Sequence, residues 1–177
     1  MTEFRLNWDK ALEAIVWLAH RQPDIDFFHI SKVLYYADKA HLLRYGRPVT
    51  GDVYIAMAHG PVPSGVYDLL KNDPFLPDEL LRKLDAAVEI DPPHVRARRV
   101  ANEDVLSGSD IEVLEQAWGQ YANLPFGELS KLSHQERAYV EASPNGAMDV
   151  ELLVDEDDPD RDDLMKEIRE KAAYGVL

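Results

Sequence analysis

The stretch Val53–Leu70, VYIAMAHGPVPSGVYDLL, decides the fold, because a strand-like run meets a helix-like one inside it. Val53–His59 is apolar on both faces, which predicts a covered strand. Gly60, Pro61, Val62 and Pro63 then interrupt it. Proline fixes φ and has no N–H, and the first turn of a helix tolerates it best. The expectation is a strand ending near His59, followed by a helix that Pro61 and Pro63 open and that runs to about Leu70. His59 shares strand parity with Val53, Ile55 and Met57, so its ring should point with theirs and serve the scaffold. Gly60 and Gly65 match the glycine spacing of a phosphate-binding loop. No Lys-Ser/Thr follows Gly65, however, and two intervening residues lack the N–H donors a phosphate needs.

Upstream, Asp26 is a suitable N-cap for a helix over Phe27–Tyr45, which Gly46 ends. At 100° per residue Ile30, Val33, Leu34 and Ala37 form one apolar stripe, with His41 near its centre and Asp38 at its edge. A histidine on a buried face needs partners for both nitrogens, and Asp38 is the nearest acceptor in sequence. Asp38 and His41 therefore read either as an acid–base pair or as a core histidine that fixes packing. The second reading is preferred, because no nucleophile or second acid stands nearby in sequence. An earlier helix spans about Trp8–His20, with Ala11, Ile15, Leu18 and Ala19 at helical spacing and Pro23 just beyond.

Downstream, PDELLRKLDA reads as a short helix, and AVEIDPPHVRARRVA as a hairpin turning at Asp91-Pro92-Pro93. Arg96 and Arg98 share one face of its second strand, a solvated edge protected by charge. Ser109 with Glu112, and Ser133 with Glu136, have the spacing of capping boxes for two further helices, with a short helix in FGELSKL between them. Ser143-Pro144-Asn145-Gly146 is the strongest internal break. It divides the chain into a domain over 1–145 and an appendage over 146–177, an acidic linker followed by a helix that Pro159 opens. Leu164, Ile168 and Ala172 line one face of that helix, with Glu167 and Lys171 as an i,i+4 pair. The expected fold is mostly α (α+β): a compact helical domain with a small antiparallel β-sheet.

Composition narrows the function classes. The chain has 177 residues, no cysteine and a net charge of −14. Disulfides, thiolate metal sites and cysteine nucleophiles are thereby removed, and a cytoplasmic setting is expected. Residues 149–163 hold nine acids and one arginine, and an acidic body with an acidic tail disfavours nucleic acid while allowing a basic protein partner. No run has the length of a secretory signal or a membrane span. The six histidines show no metal-ligand spacing, and the HExxH, G-x-S-x-G and calcium-loop patterns are missing, so no cofactor, metal or catalytic residue is expected.

Two blocks carry a family resemblance. ISKVLYYADKAHLLRYGRPVTGDVYIAMAHGPVPSGVYDLL, Ile30–Leu70, and LSGSDIEVLEQAWGQYANLPFGELSKLSHQERAYVEA, Leu106–Ala142, together resemble the Panacea antitoxin domain, also called SocA-like. The resemblance covers roughly residues 5–145. It implies a mostly α domain with a small antiparallel sheet and a non-enzymatic antitoxin, whose partner is a cognate protein toxin encoded beside it. One branch of the family acts as a proteolytic adaptor that delivers the toxin to an AAA+ protease of the ClpXP type, and other relatives are phage-associated. The motif residues carried over are Tyr35, Tyr36, Asp38, His41, Gly60, Pro61, Pro63, Tyr67 and His134, with His59 beside them. Most should shape the scaffold, while Tyr35 and Tyr67 are expected to expose faces for partner contact. A homodimer through the last helix is a further option. The alternatives are a phage-associated interaction protein, or a small hydrolase in which Asp38, His41 and His59 converge on an open polar pocket.

Overall fold

The computed structural model describes residues 1–177. In chain order the elements are α1 (Trp8–Arg21), β1 (Ile25–Asp26), α2 (Phe27–Tyr45), β2 (Tyr54–Met57), β3 (Gly60–Pro63), α3 (Ser64–Leu70), α4 (Asp78–Ala87), β4 (Val88–Asp91) and β5 (His94–Ala97). They continue with α5 (Gly108–Tyr121), α6 (Phe126–Ser133), α7 (Arg137–Val140), a 3-10 turn (Val150–Leu153) and α8 (Arg161–Tyr174). The fold is mostly helical with small antiparallel sheets, as expected.

Two helices form the centre. α1 starts where the Asn7 side chain accepts from the Lys10 amide, and it is buried at every position from Lys10 to Ala19. α2 starts where Asp26 accepts from the His29 amide and ends at Gly46, which has φ +64. A side chain at Gly46 would be strained there, so glycine makes the stop. α2 is enclosed on several sides by α1, α3, α5, α6 and β3, which is why its burial extends beyond the one stripe read from the sequence.

β1, β5 and β4 form one antiparallel sheet in that order, with Ile25 opposite Val95 and Ile90 opposite Val95 on its other side. The β4–β5 hairpin lies where the sequence placed it.

The second sheet corrects the reading of Val53–Leu70. Gly60–Pro63 is a strand paired antiparallel with β2, Ala56 opposite Pro61 and Tyr54 opposite Pro63, and the following helix begins only at Ser64. The physical reason lies in the register. Ala56 donates its N–H to Gly146 O and accepts from the Asn145 N–H, so its backbone groups face away from β3. The Ala56–Pro61 and Tyr54–Pro63 pairs are therefore of the non-hydrogen-bonded kind, and the missing proline N–H groups remove nothing from the ladder. Residues 145–148 run along the other edge of β2, with a bridge from Ile55 to Ala147.

Two cap assignments also change. Ser107, not Ser109, caps α5, in a reciprocal box with Asp110 that leaves the Ser109 hydroxyl free for another partner. Ser133 is the last residue of α6 and its hydroxyl turns back to Ser130 O, while α7 has no side-chain cap. Beyond residue 146, Met148, Leu153, Val154, Met165 and Ile168 are buried against the body. On α8, Lys171 joins Glu167 and the carbonyl of Tyr45. No helix is long and apolar enough to cross a membrane.

Candidate functional site

Buried polar groups of α2 and the loop after it hold the β2–β3 hairpin from inside: Asp38, Lys32 and Asp52. Asp38, on the fourth turn of α2, is 3% exposed and accepts four hydrogen bonds. They come from the amides of Val49 and Thr50 at 2.8 and 3.0 Å, the Thr50 hydroxyl at 2.8 Å and the Tyr54 hydroxyl at 2.7 Å. Burial pushes its carboxyl above the ordinary value, and those four donors work against that push. Asp52 holds the next corner, accepting from the Gly65 and Val66 amides at 2.9 and 2.8 Å. It thereby caps α3, where Pro63 offers no side-chain cap. Burial raises its carboxyl to about 6, with the Asp38 charge adding to the effect.

Lys32 reaches the hairpin's other strand, β3. It is 1% exposed, and its Nζ donates to Pro61 O at 2.8 Å and lies 4.8 Å from the centre of the Phe28 ring. Desolvation lowers it to about 8. Gly60, beside it, has φ +107, and a Cβ there would sit 2.2 Å from Ser133 Oγ. Only glycine fits that approach.

His41 does not pair with Asp38. Its Nδ1–H donates to Arg47 O at 2.7 Å and its Nε2 accepts from the Ser109 hydroxyl at 2.9 Å, with Asp110 at 3.3 Å. Burial lowers it to about 4, so the ring is neutral near pH 7. The hydroxyl released by the shifted cap is thus the partner that the local sequence concealed. Asp110 is itself buried between Lys10 at 2.8 Å and Arg47 at 3.1 Å. Burial pushes its carboxyl up, but the Lys10 hydrogen bond, the Ser107 amide and the two cations hold it below the ordinary value.

The remaining motif residues occupy distinct places. Tyr35 is 1% exposed, against expectation, because Tyr54 of the hairpin packs edge-on at 5.2 Å and Glu136 takes its hydroxyl at 3.1 Å. Tyr36 is buried and stacks on Tyr121 at 3.8 Å. Pro61 and Pro63 are buried, whereas Tyr67 is half-buried with Lys71 over its ring at 4.8 Å. His134 is half-buried and stacks on Tyr139 at 4.7 Å. His59 is exposed in the turn between β2 and β3, its ring edge-on to Phe126 at 5.1 Å. Asp38, His41 and His59 therefore lie in separate surroundings and form no common polar pocket. Arg96 and Arg98 are each paired, with Asp24 and Glu89.

Lys10, Lys32, Thr50, Asp52 and Asp110 were missed in the sequence. Their partners lie 12 to 100 residues away, and only Asp110 has a short spacing, three residues after the Ser107 it boxes with. Thr50 and Asp52 stand in the Val49–Asp52 stretch between α2 and β2, inside the first family block.

This arrangement defines an α+β scaffold in which a buried aspartate and a buried lysine clamp one hairpin against the central helix. The chain belongs to the SocA-like antitoxin family with the Panacea domain, whose model matches residues 30–139, more than half of the sequence. Membership makes the protein antitoxin-like and implies a protein toxin as its partner. No curated protein and no solved structure matches the chain.

Proposed function

We propose that this protein is the antitoxin of a toxin–antitoxin pair and neutralises its cognate toxin by direct protein contact. The family match over residues 30–139 carries the reading. The inward use of Asp38, His41, Lys32 and Tyr35 supports it, since these groups hold a rigid surface in place and neutralisation by contact requires no reacting group. Residues 1–145 form the main neutralising unit, and the 146–177 appendage packs against it. The hydrolase alternative has no converged site to rest on. Family practice adds an adaptor version, in which the bound toxin is delivered to an AAA+ protease of the ClpXP type.

Co-expression with the product of the adjacent open reading frame tests the proposal. The expected outcome is a toxic product whose toxicity this chain relieves and with which it copurifies. A harmless product, or one that stays toxic and does not copurify, contradicts it. Toxin half-life then separates the versions: shortening in the presence of this chain, reversed in a protease-deficient strain, assigns the adaptor role, and unchanged turnover assigns occlusion.

A further inference from the structure

The exposed surface around the β2–β3 turn has a different character from the rest of this acidic chain. A hollow of about 280 Å³ opens between the end of β2 and α7, walled by Met57, Ala58, Tyr139, Val140, Ala142 and Pro144. No charged side chain lines it. Val140 is 66% exposed at its edge, and Phe126, beside His59 on the other side of the turn, is 48% exposed. The walls are held firmly, since the Tyr139 hydroxyl donates to Met57 O at 2.8 Å and the Asn145 amide to Ala56 O at 2.9 Å. Charge-depleted apolar ground on a rigid support is the composition of an interface core.

An acidic segment is anchored to the same helix. Arg137 of α7 pairs with Glu141 at 2.7 Å and with Glu156 at 2.7 Å, which ties the start of the 155–163 run to the helix that carries Tyr139 and Val140. That run contains seven acids and one arginine. Most of those acids have no cation of this chain within salt-bridge reach, and Asp155 and Asp157 are exposed. The run is therefore anchored to α7, the helix that walls the hollow, and most of its charge is left unneutralised.

We infer that the hollow between the β2–β3 turn and α7 is the toxin-docking surface, and that it takes an apolar anchor flanked by lysine or arginine. The inference rests on the antitoxin reading and names its contact face. Charge complementarity selects the occupant. A second copy of this chain would bring one acidic segment against another in a two-fold contact, and a phosphate backbone would meet like charge. A basic protein segment meets opposite charge on the acidic run, which steers encounter, and apolar ground in the hollow, which holds it.

The test uses the full chain and the purified product of the adjacent open reading frame. One variant is Ala58→Gln with Val140→Gln, and the other is Asp155→Asn, Asp157→Asn and Asp158→Asn. Each is checked for an unchanged melting temperature, and none of these residues belongs to the clamp. The first should weaken binding about tenfold or more, as loss of a central apolar contact does. The second should weaken it severalfold and flatten its salt dependence. Wild-type affinity in both variants, with the wild-type chain binding, overturns this surface and leaves the antitoxin reading standing. Failure of the wild-type chain to bind overturns both. A wild-type dimer that the glutamine variant turns into a monomer assigns the surface to a second copy and overturns the proposal.

Discussion

The two hairpins of this protein have the same topology and opposite chemistry. β4–β5 lies at the surface and its charges are paired in solvent, Arg96 with Asp24 and Arg98 with Glu89. β2–β3 lies against α2, and buried polar groups hold it: Asp38 through Tyr54, Lys32 through Pro61, and Asp52 where the chain leaves for α3. A surface hairpin needs only its ladder and one covered face. A hairpin pressed on a helix must also satisfy every polar group it encloses, and here Asp38 and Pro61 of the family motif are among those groups.

The largest effect that would break this contrast is on Asp38. Asp38→Ala leaves two amides and two hydroxyls enclosed without an acceptor, and each such group costs about 1–3 kcal/mol. Urea unfolding should show a loss of about 4 kcal/mol or more, or no folded state at all. A loss below about 1 kcal/mol would mean that the buried hairpin is held no more tightly than the exposed one.

Lys32 gives the next effect, read in pH. Its folded value is lowered to about 8 from 10.5, so between those values the unfolded chain binds more protons than the folded one. Stability therefore rises as pH increases through that window. The gain should be on the order of 2 kcal/mol between pH 7 and 9.5. Burial raises Tyr35, Tyr36 and Tyr54 above the usual phenol range, which acts in the opposite direction only at higher pH. Lys32→Met should remove the gain, and a rise that persists in the variant would place its origin elsewhere.

The smallest effect belongs to the exposed hairpin. Arg96→Ala removes a solvent-screened pair with Asp24, and the melting temperature should stay within experimental error. A clear destabilisation would erase the distinction between the two hairpins.

The same contrast explains what the sequence disclosed. β4–β5 was legible because its alternation and its turn are local, and α2 because Asp26 and Gly46 mark its ends. β2–β3 was not, because whether a proline damages a strand depends on which edge its absent N–H would face. That edge is set by residues 145–148, far along the chain. Local reasoning likewise gave Asp38 to His41, three residues on. The actual partners, Thr50 and Tyr54 for one and Arg47 and Ser109 for the other, meet only when α2, the following loop and α5 pack together. Tyr35 was expected outside as an aromatic anchor for a partner, whereas α2 is covered on several sides and Tyr54 packs on that ring.

The central claim is that Tyr35, Asp38 and His41 face inward and the toxin meets the surface around the hairpin turn. Amide hydrogen exchange of the chain, alone and with the product of the adjacent open reading frame, tests it most directly. The account predicts new protection at Ala58–His59 and across Tyr139–Gly146, with residues 47–52 slow to exchange in both states. Protection appearing instead along the 47–52 loop and the end of α2, with the hairpin turn unchanged, would contradict it.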